Sequence, residues 1–211
     1  MKNKILIALI LATVVLFGCT TQAPTTQQPA PIPEPPIPTL VQPAFPTPFA
    51  TTMSNRLTNA NFLSNLMNWG YFSSANPVWD ATGALDAGSL VLSPSTVKNF
   101  WQGIPMTLKA GDKILVRSAI KAEEGYSGSG GYIQLQLKPQ PSTGVYTTCS
   151  SCYHSSATSK STDWQFRDVV YTVTADDVLK GNTYPLVAGG VGWSDSGKVH
   201  FDNIQFYIVT S

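Results

Sequence analysis

The chain has 211 residues, with 13 Lys/Arg against 12 Asp/Glu and 2 His, a formal net charge of +1. So even a balance offers no electrostatic footprint for nucleic acid, and three cysteines are too few for a disulfide-built miniature fold. Length excludes neither one large domain nor a smaller domain with appended segments, so the chain must be read in order.

Lys2 and Lys4 precede an uncharged apolar run from Ile5 to Phe17. As a helix that run reaches only about 20 Å, short of the ~30 Å hydrocarbon core, so it reads as the apolar region of a signal peptide, residues 1–18. Leu16-Phe17-Gly18-Cys19 resembles the lipobox of prokaryotic lipoproteins. The resemblance implies lipidation of Cys19, export, and a membrane partner engaged through acyl chains, each buried CH₂ contributing about 0.8 kcal/mol. Loss of Lys2 and Lys4 would leave eleven basic and twelve acidic residues.

Residues 19–50 hold ten of the sixteen prolines, including P-A-P-I-P-E-P-P-I-P-T. Proline fixes φ and removes a backbone donor, so this linker is expected to be extended, with a reach of about 100 Å at most.

Residues 51–211 form one domain's worth of sequence, enough to bury a core without metal. Runs at Ser89–Leu92, Lys113–Ile120, Tyr132–Lys138, Phe166–Thr174, Pro185–Ala188 and Val199–Val209 predict strands, separated by Gly, Pro, Asn and Ser. Ala175–Gly181, acidic at its start and ending in Gly, predicts a short helix. Many short strands predict an all-β antiparallel β-sandwich. Phe62, Trp69, Ile104, Leu108, Ile114, Trp164, Ile204 and Phe206 are the expected core.

A series of residues carries a resemblance: Asn59-Ala60-Asn61-Phe62, Trp69, Gly88-Ser89-Leu90-Val91-Leu92, Trp101-Gln102-Gly103-Ile104, Asp163-Trp164-Gln165 and Phe201-Asp202-Asn203-Ile204. In this order, over residues 55–209, they resemble the jelly-roll carbohydrate-binding modules of the galactose-binding-domain-like superfamily. The resemblance implies a glycan partner, a concave binding face, and in many members a structural Ca²⁺. Asp202 matches one calcium position, with Asn59 as a further donor, but Leu63 stands where the other carboxylate is expected. No cofactor is otherwise required, and the resemblance points to a non-catalytic protein.

Strict alternation in Tyr132-Ile133-Gln134-Leu135-Gln136-Leu137-Lys138 predicts Ile133, Leu135 and Leu137 inward and Tyr132, Gln134 and Gln136 outward. Tyrosine with amides suits a sugar, and it equally suits a solvated sheet face. Tyr71, Trp79, Tyr126 and Trp193 are further ligand candidates, because they lie near Gly- and Ser-rich loops. With only His154 and His200, and with Glu123-Glu124 and Asp176-Asp177 in expected loops, no hydrolase constellation emerges.

Cys149 and Cys152, in T-T-C-S-S-C-Y-H, remain as a pair. Export favours a disulfide. A Zn²⁺ site would need His154 and His200 to join them. Two functions therefore stand: a membrane-anchored lipoprotein presenting a glycan-binding sandwich on the cell surface, or a structural or adhesin-type envelope lipoprotein with a protein partner.

Overall fold

The structure, a computed structural model, describes residues 44, 54–71, 77–82, 84–86, 88–94, 99–139 and 153–210. Ten strands and one short helix follow in chain order: β1 (Gly70–Tyr71), β2 (Val78–Asp80), β3 (Ser89–Leu92), β4 (Asn99–Gly103), β5 (Lys113–Ala122), β6 (Gly131–Lys138), β7 (Tyr153–Ser159), β8 (Gln165–Thr172), α1 (Ala175–Leu179), β9 (Tyr184–Gly190) and β10 (Val199–Val209). They form two five-stranded sheets, β1-β4-β9-β6-β7 and β2-β3-β10-β5-β8, with every pairing antiparallel. This is the predicted all-β sandwich, with the strand order of a jelly roll. Cys19, Cys149 and Cys152, the linker and the signal peptide lie outside the described residues, and so does any pairing of the two loop cysteines.

Alternation builds the core between the sheets. Ile114, Val116 and Ile120 of β5 meet Ile133, Leu135 and Leu137 of β6, all fully buried. Phe62, Trp69, Phe100 and Phe201 form a chain of tilted and edge-on rings with centroids 5.6, 5.3 and 4.9 Å apart. Each such aromatic contributes about 2–3 kcal/mol through its burial. Seven of the eight expected core residues are there. Trp164 is not: it stands half-buried, edge-on to His200 at 6.3 Å, because its register puts it beyond the end of the β5–β8 ladder.

The short helix forms as expected. Thr174 caps it, accepting from the Asp177 N–H while Asp177 accepts from the Thr174 N–H. Gly181, at φ 76°, ends it. Strand β10 carries a bulge between Asp202 and Gln205, where Asn203 adopts φ 46°.

One polar cluster lies on the outer face of the second sheet. Arg117, fully buried, forms two hydrogen bonds to Asp168 at 2.6 and 2.7 Å, and its Nη2 also reaches the carbonyl of Ala44 at 3.4 Å. Nearer the start of the domain, Asn55 clasps the central strand. Its amide donates to the Ile204 carbonyl and its oxygen accepts from the Phe206 N–H, both at 2.9 Å.

Candidate functional site

Trp79 lies in β2 rather than in a loop. Its indole N–H donates to the Phe62 carbonyl at 2.6 Å, which fixes the ring. Gly88 permits this: a Cβ there would come within 2.4 Å of the indole nitrogen and 2.2 Å of the Phe62 carbonyl oxygen. The ring is about one-third exposed and forms a wall of a pocket of about 320 Å³. Val78 and Val91 add apolar surface, and Asp80, Glu123 and Lys198 add charge.

His200 is held among the same groups. It is buried, with Nε2 3.1 Å from Glu123 Oε1 and Nδ1 3.1 Å from Ser89 Oγ. A carboxylate only accepts, so Nε2 donates to Glu123, while Nδ1 faces the Ser89 hydroxyl, which also reaches the Asp80 carbonyl at 3.4 Å. Serine, histidine and glutamate in a row suggest a hydrolytic triad, but Ser89 is fully buried and its hydroxyl cannot meet a substrate. The cluster orients Glu123. Both His200 ring nitrogens are thereby engaged, by Ser89 and Glu123.

Trp193 occupies the β9–β10 connection and is 72% exposed. Its loop is not slack. Asp195 Oδ2 accepts from the Gly192 N–H at 2.9 Å, from the Ser129 hydroxyl at 3.1 Å and from the Tyr126 hydroxyl through a short contact, while Oδ1 accepts from the Ser129 N–H. Burial alone would raise the Asp195 carboxyl, but the Tyr126, Gly192 and Ser129 hydrogen bonds outweigh it and hold it below the usual aspartate range. Burial and the same aspartate push the Tyr126 phenol upward. A two-way bridge between Ser127 and Ser196, at 3.0 and 2.8 Å, ties the β5–β6 loop to the Trp193 loop. The glycines of both loops make room: a Cβ at Gly128 or Gly192 would strike the Asp195 carboxylate. Trp193, Pro94 and the serines around Asp195 line a second pocket of about 440 Å³. Ser93 lines both pockets, so the Trp79 and Trp193 pockets adjoin there.

The other sequence candidates fall elsewhere. Tyr126 serves as a brace for the Trp193 loop, its hydroxyl taken by Asp195 and its ring packed on the core. Tyr71 pairs with Phe100 on the core side of β1, which removes it from any ligand face. Tyr132, Gln134 and Gln136 do lie on the side of β6 away from the core. There Trp101, Ala188 and Gln134 stand in one cross-strand row. Yet Gln134, Gln136, Trp101 and Lys138 are 5–8% exposed, so the expected open face is closed to solvent. Trp101 was absent from the sequence candidates, although the β4 alternation places it opposite the core residue Phe100. Burial lowers the Lys138 ammonium below its usual range.

The calcium candidates Asp202 and Asn59 are each engaged by neighbouring protein groups. Both Asp202 oxygens accept backbone N–H groups, from Leu85 at 2.9 Å and from Asn203 at 2.6 Å. Burial, with the Asp86 charge beside it, raises the carboxyl to about 7 against the backbone hydrogen bonds. The Asn59 side-chain NH2 donates to the Asn65 and Met67 carbonyls. Among the described residues no three His, Cys, Asp or Glu side chains come together as a metal set.

The sequence matches no protein-family profile and no curated protein. Solved structures do resemble the chain. A proposed sugar-binding protein from Bacteroides thetaiotaomicron aligns at 14% identity and a TM-score of 0.51, over 73% of this chain and 99% of that one. The fold is a jelly-roll β-sandwich. The CBM22-1 xylan-binding domain of Paenibacillus barcinonensis Xyn10C aligns at 10% identity and TM-score 0.48, over 72% and 93%. The enzymatically active domain of bacteriophage CBA120 tailspike protein 4 aligns at 15% and 0.49 over 74% of this chain, which spans about a fifth of that protein (21%). Cyclases from Fischerella sp. TAU align at TM-scores of 0.48 and 0.45, with 10% and 12% identity. A fold by itself decides neither binding nor catalysis.

Proposed function

We propose that the domain is a non-catalytic glycan-binding module whose ligand lies along the Trp79–Trp193 groove. The single observation that carries this reading is that the two tryptophans border adjoining pockets that meet at Ser93. Two indole planes with serine hydroxyls and carboxylates between them match a glycan: the rings cover apolar C–H faces and the polar groups meet hydroxyls. Both platforms are held before any ligand arrives, Trp79 by the Phe62 carbonyl and Trp193 by the Asp195 brace, which reduces the ordering cost of binding.

The sequence adds the setting we infer: an exported lipoprotein, acylated at Cys19, with residues 19–50 as spacer, displaying the module at a membrane surface. Replacing Cys19 by Ser should then move the protein from the membrane to the soluble fraction. Affinity electrophoresis against a panel of polysaccharides tests binding. Retention by at least one glycan is expected, with Trp79→Ala and Trp193→Ala each weakening it by more than about 1 kcal/mol, or fivefold. No retention by any glycan would sink the reading. A protein partner is the second reading, favoured by the exposed Leu63, Met67 and Val78. It predicts a crosslink from these residues to one envelope protein.

A further inference from the structure

Resting on that reading, we propose that the Trp79 end of the groove is built for a sugar ring carrying a protonated amine, and that the groove as a whole disfavours acidic glycans. Among the described lining residues the charged groups are Asp80 and Glu123 at the Trp79 end, Asp195 at the Trp193 end, and Lys198 as the single cation. Lys198 is already turned toward an acid, its Nζ 3.5 Å from Glu123 Oε1. That same oxygen takes the His200 N–H, whereas Glu123 Oε2 receives no hydrogen bond among the described residues. Asp80 Oδ1 is occupied by the backbone and hydroxyl of Thr82, and its Oδ2 lies 3.8 Å from His200 Nδ1. Lys121 is level with His200 on the neighbouring strand of the same sheet but does not line the pocket.

The consequence is directional. Ionised carboxylates accept and never donate, so the Trp79 pocket favours a ligand rich in donors. An ammonium group meets the Glu123 carboxylate and the negative face of the Trp79 indole together, whereas a uronate or sulfate meets only Lys198. A cleft of one predominant sign strengthens this discrimination. The pocket's 320 Å³ lies at the small end of ligand sites, the size of one ring, with Ser93 leading to the next subsite at Trp193.

The test titrates the full chain, by calorimetry and tryptophan fluorescence, with a glucosamine oligomer, its N-acetylated counterpart and an oligogalacturonate, at a pH where the amine is protonated. The amine oligomer should bind roughly three- to tenfold tighter than the N-acetylated one, and the uronate weakest. Glu123→Gln should erase the difference between the first two while keeping affinity for the N-acetylated oligomer, and Trp79→Ala should weaken both. Glu124→Gln, which changes an exposed neighbour of the same charge, should leave the preference intact. A preference that survives Glu123→Gln or vanishes equally in Glu124→Gln is diffuse polycation adsorption and overturns the proposal. Equal binding of the amine and N-acetyl oligomers, or tightest binding of the uronate, overturns it while leaving glycan binding standing. Failure of all three together with a panel of neutral glucans overturns both.

Discussion

Asp195 collects three donors on one oxygen and a fourth on the other, joining the loop that carries Trp193 to the loop that carries Tyr126. Asp195→Ala should therefore destabilise the domain by about 1–3 kcal/mol, because the donors it now satisfies lose their acceptor. It should also weaken ligand binding although Trp193 remains. Hydrogen exchange at residues 127–130 and 192–197 would report the loosened brace, and unchanged exchange there would contradict it. At this scale the sequence was readable only in part. Exposed tryptophans among Gly and Ser marked Trp193, but the same residues around Tyr126 made it look like a ligand contact. Gly128 instead clears space for the Asp195 carboxylate, about 67 residues away along the chain, a relation no local pattern carries. Likewise Gln134 and Gln136 obey the alternation that sends them off the core, yet they are buried, because period two assigns a face and says nothing of what lies over it.

At the scale of elements, the groove depends on strand β2 lying tight against β3. Gly88→Ala places a methyl inside the indole of Trp79 and against the Phe62 carbonyl, and neither neighbour can retreat without breaking their hydrogen bond. A loss of about 1–3 kcal/mol is expected, with a changed Trp79 fluorescence and a weaker ligand. On the outer face of the same sheet, Asp168→Ala strands the buried Arg117 charge and should cost about 3–5 kcal/mol in urea unfolding. Replacing both partners by apolar residues of similar size should recover most of that. The long strands β5, β6 and β10 were legible from their alternation. Strands β1 and β2, of two and three residues, were not, since they exist by pairing with β4 and β3 and hold no period of their own. Strand β4 shows the in-out-in pattern of Phe100, Trp101 and Gln102, though Gln102 faces inward only because Thr58 and Asn68 satisfy its amide.

For the whole molecule, Asp202 gives stability a pH slope. Its carboxyl stands at about 7 in the fold against about 3.9 when unfolded, so between these values the folded state holds the proton more tightly. Its contribution is therefore complete below about pH 4 and is lost as pH rises through about 7. The urea midpoint should fall between pH 5 and pH 8, and Asp202→Asn should flatten that change. Loop 84–86, whose amides face this carboxylate, was invisible to the sequence reading. The clasp at Asn55 has a mechanical meaning. It fastens the incoming chain to Ile204 and Phe206 of β10, and β10 begins directly after Lys198 in the wall of the groove. Any pull between the N-terminal side of the chain and a ligand in the groove thus runs lengthwise along one interior strand. That strand is hydrogen-bonded on both flanks, to β3 and to β5, so its rungs are loaded in shear and must yield together.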